Sequence, residues 1–119
     1  MAYNGNARSS STWWARQSLA YPDNRRTLRY EVQTWRLGDL TAVALEGEVC
    51  ADWGPMVRAL ARTRHAMAIA YANEVPGYIP TAQAFLEGGY EPTVALASAD
   101  SEELILKAMR KLLQAEGKK

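Results

Sequence analysis

Between residues 28 and 36 the sequence LRYEVQTWR alternates Leu28, Tyr30 and Val32 with Arg29, Glu31 and Gln33, the two-residue period of a strand with one buried face. Gly38-Asp39 offers a tight turn, and LTAVAL (40–45) returns as a more continuously apolar strand, so the pair reads as a hairpin. After Gly47-Glu48 the period lengthens. Met56, Val57, Leu60 and Ala61 recur at helical spacing, Asp52 stands as N-cap and Pro55 falls in the first turn, predicting a helix over 52–63. The run AMAIAY (66–71) is short and wholly apolar, which predicts a central strand covered on both faces. Strand, helix and strand in this order imply a right-handed parallel crossover. Residues 73–80 (NEVPGYIP) are turn-rich, and 81–86 predict a short helix stopped by Gly88-Gly89. In the last segment Asp100 and Glu103 have capping-box spacing. Leu104, Ile105, Ala108, Met109, Leu112 and Leu113 form one apolar stripe, with Met109 as core filling, and Gly117 closes the helix. The expected fold class is α/β: a small mixed sheet, made of a β-hairpin followed by a β-α-β parallel crossover, with a C-terminal amphipathic helix packed on it.

Length and composition narrow this further. A chain of 119 residues is one domain's worth of sequence, enough to bury roughly 65% of its unfolded surface. Residues 28–119 read as that domain, and 1–27 as an N-terminal arm. The arm mixes Asn, Gly and Ser with a Trp13-Trp14 pair that reads as a sticky anchor. It does not have the basic-then-apolar order of a signal peptide, and no apolar run reaches membrane-spanning length, so a cytoplasmic chain is expected. One cysteine, Cys50, excludes an intrachain disulfide, and one histidine, His65, excludes a site needing two imidazoles from one chain.

The formal net charge of +1 provides no overall field to recruit nucleic acid or anionic lipid. Its distribution is uneven: residues 1–36 hold six arginines against Asp23 and Glu31, while 37–60 hold Asp39, Glu46, Glu48 and Asp52 against Arg58. Opposite-sign segments facing each other account for this. A stacking groove for a nucleic-acid strand is not expected with an acidic middle.

Ligands in α/β units sit where loops converge at the carboxyl ends of parallel strands. Glu48, just past the second strand, and Tyr78, in the loop after the third, fall at that edge. The two could share a metal, orient a water or hydrogen-bond each other. Cys50 and His65 flank opposite ends of the predicted helix, roughly 15–20 Å apart, too far for a nucleophile and base. There is no phosphate-cradling glycine loop, GxSxG elbow or HExxH.

Read together, YEVQTWRLGDL, ALEGEV (44–49), AIAYANEVPGYIPTAQAF (68–85) and EGGYE (87–91) resemble the neutral/alkaline non-lysosomal ceramidase family over about residues 29–113. The ordered trio GE, YAN…GYIPT and GGYE carries the resemblance. It implies a zinc amidase that cleaves the N-acyl bond of ceramide, a lipid amide, in a family whose members are often secreted. The metal there is held by two histidines, a glutamate and a tyrosine, and by motif the glutamate matches Glu48 and the tyrosine Tyr78. The two histidines have no counterpart in these 119 residues, and His65 matches neither.

The resulting expectation is a ceramidase-like domain standing alone, without catalytic residues or turnover of its own. It would act as a self-associating or interaction module, a homo-oligomer with Trp13 or Trp14 at its interface. No cofactor is expected in the isolated chain, and zinc only if the family site is completed. The alternative is a reduced zinc-dependent amide hydrolase whose shell closes across an oligomer.

Overall fold

The structure, a computed structural model, describes residues 29–116. The expected arm with Trp13 and Trp14, the start of the first strand at Leu28, and the helix-closing Gly117 lie outside the described residues. The elements are β1 (Val32–Leu37), β2 (Leu40–Leu45), β3 (Glu48–Val49), α1 (Trp53–Leu60), β4 (His65–Ile69), β5 (Tyr78–Ile79), α2 (Ala82–Glu87), α3 (Tyr90–Val94) and α4 (Ser101–Glu116). This is the mixed α/β arrangement that the pattern predicts.

A three-stranded sheet has the order β1-β2-β4. The β1–β2 pair is antiparallel with Leu37 opposite Leu40, and β2–β4 is parallel with Leu40 opposite His65. The expected hairpin and parallel crossover are therefore both present. β1 starts at Val32 because the residues before it are held differently. The Tyr30 hydroxyl donates to the Glu46 carbonyl at 2.7 Å, and the Glu31 N–H donates to Glu46 Oε2 at 3.0 Å. Glu46 is a buried carboxylate, and this hydrogen bond lets it remain so.

The expectation of a central strand at 66–71 is corrected: β2 is central and β4 lies at the edge. Without polar residues the run shows no alternation in sequence, yet the sheet imposes one. Ala66 and Ala68 pack against the core, while Met67 is exposed. The strand stops at Ile69, and Tyr71 and Asn73 then take left-handed backbone conformations (φ 58° and 59°), which turn the chain away.

The crossover helix is shorter than 52–63. It ends where Ala61 becomes extended, and Asp52 makes no side-chain cap, its carboxylate accepting instead from Thr81 Oγ1 at 3.4 Å. Thr81 does cap α2, its oxygen accepting from the Ala84 N–H at 3.2 Å. In α4 the stripe is narrower than expected. Ile105 and Met109 are buried, but Leu104 is 68% exposed, because it lies about 100° from the middle of the stripe on a 3.6-residue helix. The Glu103 carboxylate is engaged by Arg110 Nη1 at 3.2 Å.

Val43, Leu45, Trp53, Val57, Ile79, Ile105 and Met109 form the core, so α1 and α4 cover one face of the sheet. On the other face Trp35, Leu37 and Met67 stay exposed. Urea unfolding should separate the two kinds of apolar residue: Met109→Ala should cost about 2–5 kcal/mol and Leu104→Ala less than about 0.5 kcal/mol.

Candidate functional site

Beyond β2 the chain turns at Gly47 and enters a second, two-stranded parallel sheet in which Glu48 pairs with Tyr78 and Val49 with Ile79. Gly47 makes this possible. Its φ is +78°, and a Cβ there would stand 2.6 Å from the Gly77 carbonyl oxygen. Around this crossing the Gly47 N–H donates to the Glu74 carbonyl at 3.0 Å and the Glu48 N–H to Gly77 at 2.9 Å. The Tyr71 N–H donates to the Gly47 carbonyl at 3.0 Å and the Ala72 N–H to Leu45 at 3.1 Å. The pair is also held from beneath, where the buried Trp53 indole N–H donates to the Ile79 carbonyl at 2.8 Å.

Glu48 and Tyr78, the two residues picked out from topology, are thus neighbours, both half-buried. Their side chains also interact, the Glu48 carboxylate acting on the Tyr78 hydroxyl. That interaction, together with burial and the nearby negative charge, pushes the Tyr78 phenol up to about 12. A phenol that donates to a carboxylate holds its proton more tightly than one in water.

Two further residues belong to the site. The Tyr90 ring meets Tyr78 edge-on, with centroids 5.8 Å apart and planes at 81°. The Glu91 carboxylate lies close enough to raise the pKa of both Tyr78 and Cys50. For Cys50 the largest cause is burial, followed by Glu91 and Asp52, so the thiol is held protonated. The sequence quotes Tyr90 and Glu91 in GGYE without giving them a role. The signal was the Gly88-Gly89 pair, whose positive φ values (78° and 120°) end α2 and start α3 under the Tyr78 ring. Cys50 precedes α1 and His65 follows it, so no thiol–imidazole pair forms between them.

Among the described residues no group of three His, Cys, Asp or Glu side chains could hold a metal ion. Glu48 and Tyr78 supply two donors, one short of the three protein ligands that catalytic zinc takes. The donor set therefore does not by itself fit the zinc centre that the resemblance implies. No helix among the described residues is long and apolar enough to cross a membrane. In comparisons with known proteins the chain matches no family model, no curated protein and no solved structure.

Two measurements check this geometry. In a spectrophotometric titration at 295 nm, the component absent from Tyr78→Phe should have its midpoint near 12, and Glu48→Ala should move that midpoint down towards the ordinary value near 10. Because the folded state raises this pKa, the pair's contribution to stability is complete below pH 10 and lost as the pH rises through 12. Gly47→Ala should destabilise the fold by more than about 1 kcal/mol in urea, since its Cβ meets backbone as well as an unfavourable φ.

Proposed function

We propose that the chain is a ceramidase-like domain without hydrolytic turnover of its own, acting by association as a self-associating or interaction module. The observation that carries this reading is the pairing of Glu48 with Tyr78 across β3 and β5. The carboxylate raises the pKa of the phenol beside it, so the phenol keeps its proton. A phenol coordinates zinc well only as phenolate, and the shell needs a third donor. Amide hydrolysis further needs a metal-activated water and donors aimed at the developing oxyanion. Two side chains that neutralise one another's polarity form a stable structural corner instead.

Zinc analysis of the purified, dialysed protein and an assay on ceramide and a simple N-acyl amide test the reading. The expected outcome is substoichiometric zinc and no turnover. Stoichiometric zinc with turnover that disappears in Glu48→Ala and Tyr78→Phe would place the chain among zinc amide hydrolases, its shell completed across an oligomer. For the associative part, light scattering at micromolar concentration should give a mass of two or more 13.2 kDa chains. A clean monomer with no partner would overturn it.

A further inference from the structure

We propose that the hairpin end of the β1-β2-β4 sheet is a docking surface for an anionic lipid bilayer. The strand register places two rows of side chains on the face opposite the core. Leu37, Leu40 and His65 form the row at the hairpin end, and Trp35, Ala42 and Met67 form the next. Within these rows Trp35 is 53% exposed, Leu37 65% and Met67 45%. Three large apolar side chains are therefore in water side by side on one flat face.

The charges bordering this end are basic. Arg36 precedes the β1–β2 turn, and Arg62 and Arg64 lie in the α1–β4 loop, which leads directly to His65 beside Leu40. All three guanidinium-bearing residues are exposed. The one acid in these two loops, Asp39, faces His65 at 3.7 Å. The carboxylates gather at the opposite end of the same strands, where Glu46, Glu48 and Asp52 follow β2. α4 carries Glu102 and Glu103 in its first turn and Lys107, Arg110 and Lys111 in its middle turns. A net charge of +1 thus conceals a basic pole and an acidic pole.

A bilayer fits this pole better than the other occupants. Indole sits at the headgroup level, leucine and methionine have hydrocarbon to insert, and arginine binds lipid phosphate through paired N–H donors. A nucleic-acid strand calls for a series of aromatic platforms, and the face has one indole flanked by aliphatic side chains. For a second copy, three half-exposed side chains offer on the order of 300–400 Å². A stable dimer takes about 800 Å² from each partner.

The surface uses neither Glu48 nor Tyr78, so zinc content and turnover do not enter its test. The full chain is sedimented with phosphatidylcholine vesicles carrying a quarter phosphatidylglycerol, and with pure phosphatidylcholine vesicles. Binding is expected to the acidic vesicles only, weakening as salt is raised. Arg62→Glu with Arg64→Glu should weaken binding at least about tenfold. Trp35→Ala with Leu37→Ser should do the same while leaving the far-ultraviolet circular dichroism unchanged. Five results would overturn the proposal: no binding to acidic vesicles, equal binding to both kinds, or undiminished binding by these variants. The fourth is loss of binding that coincides with conversion of an oligomer to a monomer, which would assign the face to a second copy. Stronger retention on single-stranded RNA than on acidic vesicles would also overturn it.

Discussion

Where Gly47 passes Gly77, two stretches of backbone approach so closely that no side chain fits between them, and much of the domain is arranged by that contact. The crossing ends the three-stranded sheet and starts the two-stranded one. Four backbone hydrogen bonds around it tie the ends of β2 and β4 to the start of β5. Once Gly47 is in place, the period of a strand puts Glu48 opposite Tyr78 without any further instruction. The site is therefore a product of backbone geometry, and its two side chains meet because their strands have no other way to pair.

Among the described residues the helices cover one face of the sheet, and the chain distributes the cost of the other face unevenly. On the covered face the branched Val43 belongs to one cluster with Trp53 and Val57 of α1 and Ile105 and Met109 of α4. On the open face β2 places Ala42 and Ala44, small residues that their neighbours can shield to 4% exposure. The large side chains that would need a second layer stand on the edge strands, as Trp35, Leu37 and Met67 do. The middle of the open face is thus closed by smallness, and its margin is left to meet something else.

Much of the fold was legible in the sequence because its signals are local. The alternation at β1, the Gly38-Asp39 turn, the Thr81 start of α2 and the stripe of α4 each depend on residues a few positions apart. What escaped is what depends on partners. AMAIAY has no polar residue to mark its outer face, so an edge strand and a central one are written alike. Leu104 is apolar by composition and exposed by angle. Asp52 has the chemistry of an N-cap, but Thr81, 29 positions along the chain, takes its carboxylate. Glu48 and Tyr78 could be placed at one edge from topology. Their pairing across two strands, and the arrival of Tyr90 and Glu91 beside them, depended on a glycine crossing that no local pattern describes.

The pairing of Glu48 with Tyr78 also bears on how the domain is built in time. The hairpin closes over two residues, an event of microseconds. The second sheet brings together positions 48 and 78, enclosing a helix and an edge strand that must themselves be seated first. Loop closure of that length gains nothing until the glycine crossing is made, so the order of assembly runs from the hairpin outward to the site. The same order runs in reverse when the domain opens. Two residues on each side hold the small sheet, against six in each strand of the hairpin, so the amides of residues 48–49 and 78–79 belong to the first cooperative unit to release.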